Sequence, residues 1–166
     1  MYRRLLAASL FAFLAACGGS EPSSAPAAPS EPTASGSAAA APAGPSEEEI
    51  ATAVAALPAP YNEGDYEAGR RVFAQCRSCH TIEEGGPNRV GPNLHGVFDR
   101  HIGAVDGFNY SQAVQDADFE WDPDHLDHWL ANPQSFLPGN RMAFAGVRDE
   151  TQRKNLITYV LVASGQ

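Results

Sequence analysis

The sequence predicts an all-α domain closed around one covalently held prosthetic group. Helix-capping signals recur through its C-terminal part, and no run alternates as a half-buried strand would. Two cysteines also stand three residues apart, directly before a histidine. That segment, Cys76-Arg77-Ser78-Cys79-His80, has the C-x-x-C-H pattern of c-type haem attachment. Each thiol can add to a haem vinyl group, and His80 is then held under the iron as an axial ligand. A zinc site would need a second ligand pair, and no other C-x-x-C or H-x-x-x-H occurs. A thioredoxin-like redox pair would sit in a βαβ pattern, which is missing. Covalent attachment also supplies a core that so short a domain would struggle to assemble from side chains alone.

The 166 residues carry a formal charge of −9 and divide into three parts. Residues 1–17 begin with Met-Tyr-Arg-Arg and run through an apolar stretch, Leu5 to Ala16, into Cys17. A basic start, a short apolar run and small residues describe an export signal. The run is too short to span a bilayer, which takes about 20 residues. Leu14-Ala15-Ala16-Cys17 resembles the bacterial lipobox, at which the signal is cut and the new N-terminal cysteine is lipidated. The alternative is an ordinary signal in which Cys17 is incidental. Lipidation is favoured because it removes an unpaired thiol from an oxidising compartment. Each buried CH₂ of such an anchor contributes about 0.8 kcal/mol. The expected location is the bacterial periplasm, tethered to a membrane through the N-terminus.

Residues 18–60 are rich in Ala, Pro, Ser and Gly and hold too few large apolar groups to offset chain entropy, so a disordered linker is expected. A flexible-coil relation of 5–6 Å × √n gives it a reach of roughly 35 Å. The stretch from Glu47 to Leu57 offers a short helix that Pro58 and Pro60 would end.

The folded domain is expected over 61–166. Asp65 reads as an N-cap, with Tyr66, Gly69, Val72 and Phe73 on an apolar face leading to Cys76. Asp122-Pro123 pairs an N-cap with proline at the first helical position. The helix it opens runs through Leu126, Trp129 and Leu130 and ends before Pro133. Asp149-x-x-Gln152 resembles a capping box, and Leu156, Ile157, Tyr159, Val160 and Leu161 give the last helix its buried face.

His80 leaves one axial position on the iron. Met142, in Leu137-Pro138-Gly139-Asn140-Arg141-Met142-Ala143-Phe144, is the chain's only methionine besides Met1. Its soft thioether suits Fe(II) and raises the reduction potential relative to a second imidazole. Pro138-Gly139 bends the loop that would deliver it. The rivals are His95, in a tight loop where packing is the expected role, and His125 and His128, which read as solvated among Asp122, Asp124 and Asp127. His101 has no clear assignment.

From Gly64 onward the chain resembles class I c-type cytochromes of the mitochondrial and alphaproteobacterial branch, over about 100 residues. The resemblance rests on Gly64-Asp65 through Phe73, on Cys76 to Thr81, and on Gly91-Pro92-Asn93-Leu94-His95-Gly96. It continues through Gly107-Phe108-Asn109-Tyr110, Trp121, Asn132-Pro133, Pro138 to Gly146, and Leu156 to Tyr159. It implies one haem c held by Cys76 and Cys79, with His80 and Met142 as axial ligands. It further implies that the Pro92 carbonyl accepts from His80 Nδ1–H, and that Arg100, Tyr110 and Trp121 hydrogen-bond a buried propionate. Gly69 and Phe73 would pack on Tyr159 and Leu156, and Phe144 would cover the haem beside Met142. Trp129, Asn140 and Val114 depart from the family's usual tyrosine, threonine and asparagine.

The resemblance implies a one-electron carrier rather than an enzyme, in a respiratory or photosynthetic chain, between a bc1-type complex and a terminal oxidase. A peroxidase or gas-ligand sensing module with a labile Met142 is the alternative. Family members that dock through a lysine ring are basic, whereas residues 61–166 hold nine Lys/Arg against fifteen Asp/Glu. That balance makes nucleic acid an unfavourable partner. It leaves Arg77, Arg89 and Arg141 as a small positive patch at the haem edge. A monomer is expected.

Overall fold

The computed structural model describes residues 44–165. The expected export signal, Cys17 and the linker as far as residue 43 lie outside the described residues. Six helices follow: α1 (Glu47–Ala55), α2 (Tyr66–Phe73), α3 (Gln112–Gln115), α4 (Pro123–Ala131), α5 (Pro133–Phe136) and α6 (Glu150–Ala163). A 3-10 turn, Tyr61–Glu63, precedes α2. None of the described helices is long and apolar enough to cross a membrane.

The crossing of α2 and α6 organises the domain. Asp65 caps α2 by accepting from Ala68 N–H at 2.8 Å, while its own N–H donates to Asn155 on α6 at 2.9 Å. The cap therefore ties the two helices together. At the crossing Gly69 faces the Asn155 carbonyl and Tyr159 Cβ so closely that no side chain fits. Phe73, 1% exposed, lies 5.0 Å from the Tyr159 ring, and Leu156 is buried beside it in the same core. The packing expected of Gly69, Phe73, Leu156 and Tyr159 is thus present.

The caps on Asp122 and Asp149 also form, accepting from His125 and Gln152 N–H at 2.6 and 2.8 Å. Only the Asp149 half of the expected capping box appears. Asn132, extended as the residue before a proline must be, ends α4 and at once caps α5 through Ser135 N–H at 3.1 Å. Sequence reading stopped at Pro133 and missed this one-turn helix. It also missed α3, capped by Ser111.

Two further differences have physical causes. The end of the expected linker is ordered: α1 begins with a complete capping box between Ser46 and Glu49, and three glutamates face its dipole. It packs on the 3-10 turn and α6, and Leu57 reaches the core. A docked helix therefore lies upstream of the expected domain start at Tyr61. Residues 116–122 do alternate, with Asp116, Asp118 and Glu120 exposed and Phe119 and Trp121 turned inward. They pair with 99–102 through single backbone bonds (Ile102 N to Phe119 O and Trp121 N to Arg100 O, both 2.9 Å), giving one isolated bridge rather than a strand.

Candidate haem and axial-ligand site

The first half of the site is built from local sequence. Beyond α2 the chain stays coiled: Cys76 N–H bonds Phe73 O at 2.8 Å, and Cys79 and His80 N–H both bond Cys76 O, at 3.0 and 2.9 Å. Both thiols are free and half-buried on one turn. Burial, with Cys79 nearby, pushes the Cys76 thiol up to about 11, so the folded chain presents a neutral thiol rather than a reactive thiolate.

His80 is then oriented by the loop that follows. Its Nδ1 lies 2.8 Å from the Pro92 carbonyl, which selects the Nδ1–H tautomer and leaves Nε2 to bind a metal. Burial lowers the imidazole's proton affinity and outweighs the Pro92 bond, which favours the neutral ring a ligand must be. Gly91 lies flat against that ring, its N–H bonded to Cys79 O at 2.8 Å. Thr81 anchors the loop, donating to Pro87 O at 2.8 Å and accepting from Asn93 at 2.7 Å.

The second half is a strap, 140–147, brought in from far along the chain. Its first residue, Asn140, is buried and bonded to the carbonyls of Pro133 and Leu137. At its other end Val147 N–H bonds Leu130 O at 2.7 Å, and Val147 O accepts from Arg153 at 3.0 Å. Arg153 is itself paired with Asp127 at 2.9 Å, so α4, α6 and the strap share one anchor. Between these ends Met142 is half-buried, and Phe144 N–H closes a turn onto Met142 O at 3.0 Å. Phe144 packs against the core, and Trp129 stacks edge-on with Trp121 and Phe136 at 5.5 and 6.0 Å.

The expected propionate group is only partly assembled by direct contact. The Arg100 guanidinium is half-buried and donates to His95 O and Asn93 O at 2.9 and 3.1 Å, with N–H groups to spare for a carboxylate. Burial raises the Tyr110 phenol, which stays a neutral donor. Trp121 adjoins Arg100 through its backbone N–H, while its ring meets Phe119 and Trp129. No hydrogen bond joins the three side chains to one another among the described residues.

Of the other histidines, the His95 ring packs against Gly165 as expected, and exposed His128 is solvated. His125 is a correction. It stacks on Phe119 at 4.7 Å with the planes 10° apart, and its Nδ1 lies 2.9 Å from Asp122 Oδ2, an ionic contact not aligned as a hydrogen bond. Helical position alone did not reveal the aromatic neighbour supplied by another segment. His101 bonds Ile102 O and Asp118 at the surface, at 2.7 and 3.1 Å.

Sequence reading noted Asn140 only as a departure and missed what it holds. Its side-chain oxygen accepts from the N–H two residues on, at 2.8 Å, which is the Asx-turn habit of asparagine after a Pro-Gly bend. That local signal was available.

These residues fit a covalently attached haem: two thiols on one turn, an imidazole with Nδ1 committed and Nε2 free, and a thioether on a pinned strap. Among the described residues no three His, Cys, Asp or Glu side chains gather as they would around an ion.

The family described as Cytochrome c matches residues 66–164. The chain is 44% identical over 105 residues to cytochrome c of Kluyveromyces lactis, covering 63% of this chain and 96% of that protein. It is equally 44% identical, over 101 residues, to cytochrome c of Stellaria longipes, covering 60% and 94%. With cytochrome c2 of Blastochloris viridis it shares 41% over 96 residues, covering 58% and 76%.

Proposed function

Since the chain belongs to the cytochrome c family, with a covalent haem c implied, we propose that His80 and Met142 are the two axial ligands of a one-electron carrier. The protein is a monohaem electron carrier and not an enzyme. When bound, the haem supplies a one-electron Fe(III)/Fe(II) couple. The chain's residues do the rest. Cys76 and Cys79 would hold the group, Pro92 keeps the His80 ring in one tautomer, and the strap would present Met142 to the same group. Arg100, Tyr110 and Trp121 supply donors for a propionate. With both axial positions filled from the protein, small ligands would be kept off the iron and the oxidation state would change with little rearrangement.

The observation that carries this reading is the 2.8 Å bond between His80 Nδ1 and the Pro92 carbonyl, which leaves Nε2 as the free donor beside the two thiols. The test is the absorption spectrum of the haem-loaded protein, ferric and ferrous, beside Met142→Ala. A low-spin ferric spectrum with the weak far-red sulfur-to-iron band, lost in the variant, supports His/Met ligation. A high-spin spectrum, or one the substitution leaves unchanged, overturns it and favours the peroxidase or sensor alternative.

The partners follow as part of the same proposal: a bc1-type donor and a terminal oxidase acceptor, in a respiratory or photosynthetic chain. Arg77, Arg89 and Arg141 are exposed, and Arg89 and Arg141 are steadied by the carbonyls of Arg77 and Asn109. Val90, next to Arg89 along the chain, is 81% exposed. Against an acidic domain, Arg77 and Arg89 with Val90 offer a small positive contact beside an apolar group, and Arg141 is a third exposed cation. We place the head in the bacterial periplasm on a lipid at Cys17, with the Ala/Pro/Ser-rich segment before α1 as its tether. Tethering raises its effective concentration at membrane partners. Mass spectrometry of the mature N-terminus tests this, and an absent or unmodified Cys17 overturns the anchor.

A further inference from the structure

Asn140 is 7% exposed, and every hydrogen-bonding position of its side chain is used. Nδ2 donates to the carbonyls of Pro133 and Leu137, both at 2.8 Å. Oδ1 accepts from Met142 N–H at 2.8 Å and from Gln134 Nε2 at 3.2 Å. The amide has one workable orientation. Exchanging its oxygen and nitrogen would set N–H against N–H and oxygen against two carbonyls.

The two carbonyls belong to the first residue of α5 and to its C-cap, and Pro133 is itself buried. The amide thus connects a packed helical corner directly to the backbone of Met142. Gln134, also on α5, adds a second link by donating to Met142 O at 3.3 Å. Both backbone polar groups of Met142 are therefore joined to the same one-turn helix, one through Asn140 and one through Gln134. Between here and Val147 the strap's backbone has, among the described residues, only the Phe144-to-Met142 turn bond to hold it.

We propose that Asn140 is the positioning residue for Met142: its amide sets how firmly the thioether keeps the sixth position of the iron, and so how well the protein resists exogenous ligands. This rests on Met142 being the axial ligand. Removing the amide leaves Met142 N–H without its partner and takes one of two donors from each of the Pro133 and Leu137 carbonyls, which keep the Leu137 and Asn140 N–H groups at 3.1 and 3.2 Å. The loss is relieved when the strap lifts toward water. Loss of one such bond corresponds to roughly a tenfold change in the balance between seated and lifted strap.

The test is imidazole binding to the full-length ferric holoprotein, titrated by absorbance, with the far-red band recorded for each variant. Asn140→Ala is expected to bind imidazole roughly tenfold more tightly than the parent and to show a weakened band. Asn140→Thr keeps an acceptor for Met142 N–H but can donate to one carbonyl only, and should fall between. Gln134→Ala should give a rise of roughly twofold. Val160→Ala opens a cavity in α6, outside the strap, and should lower the melting temperature without changing imidazole affinity.

If Asn140→Ala binds imidazole no better than the parent or Val160→Ala, Asn140 contributes stability alone and the proposal falls. Should Asn140→Ala yield no holoprotein, the threonine and Gln134 variants decide, and parental affinity in both overturns it. A parent that lacks the far-red band, with imidazole affinity unchanged in Met142→Ala, is a different failure, that of the ligand assignment beneath it.

Discussion

The two faces offered to the haem are built in opposite ways. On the His80 side, the thiols, the imidazole and the carbonyl that orients it span residues 76–92, and each bond joins near neighbours. On the Met142 side, the strap depends on Leu130, Pro133 and Arg153, residues of three different helices. A local unit can form as soon as its own turn closes, whereas the strap is seated only after α4, α5 and α6 have packed. The proposed Met142 ligand therefore sits on the side that tertiary structure controls.

The comparison breaks most sharply at Gly146. Its φ is +89°, and a Cβ there would run into the Ala131 carbonyl. Strain of this kind and the clash together predict that Gly146→Ala costs about 3 kcal/mol. The far-red band should disappear while covalent attachment stays intact, as mass and absorption spectra would show. Retention of the band would mean the strap tolerates displacement of its anchored end.

The counterpart on the other side is Gly91→Ala, whose Cβ would press on the His80 ring. The ring has some freedom to yield, so about 2 kcal/mol is expected. The accompanying sign is a rise in high-spin signal while Met142 stays available. Loss of the His80 bond before any loss of strap order would confirm that the two faces fail independently.

A smaller effect is expected from Arg153→Met. Breaking a buried ion pair costs 3–5 kcal/mol in the fully buried case. The Asp127 side chain keeps 32% of its exposure, so about 1–2 kcal/mol is expected by denaturant titration. Because Arg153 also holds the Val147 and Arg148 carbonyls at 3.0 Å, the far-red band should weaken as stability drops.

The smallest effect concerns pH. Burial works to raise the Asp122 carboxyl, but the hydrogen bond from His125 N–H and the imidazole beside it outweigh it and hold the group below its ordinary 3.8. A carboxyl depressed by folding adds stability above its unfolded value and loses it as pH falls through the folded one. Asp122→Asn keeps an effective cap and removes only the charge. The parent should therefore be slightly more stable at neutral pH, and the gap should close as pH falls below 3.8. A gap that persists in acid would assign the difference to cap geometry instead.

What could be read in advance divides along the same line. The caps at Asp65, Asp122 and Asp149 each bond an N–H three residues on, so three letters suffice to announce them. The attachment turn is equally local. The stacking of His125 on Phe119 depends on residues 116–122 being paired with 99–102, and composition could not show that α1 would dock on α6. Asn140 lies between these cases: its bond to Met142 N–H is local, but its bond to Pro133 spans seven residues and needs α5 to exist.

The sequence by itself determined the attachment turn, the tautomer-setting loop behind His80 and the helical class, because these rest on bonds between residues close along the chain. Only the tertiary structure decided how the strap is pinned, through the buried amide of Asn140 and the shared Arg153 anchor. Those contacts come into being when distant helices pack and their buried polar groups must find partners away from water.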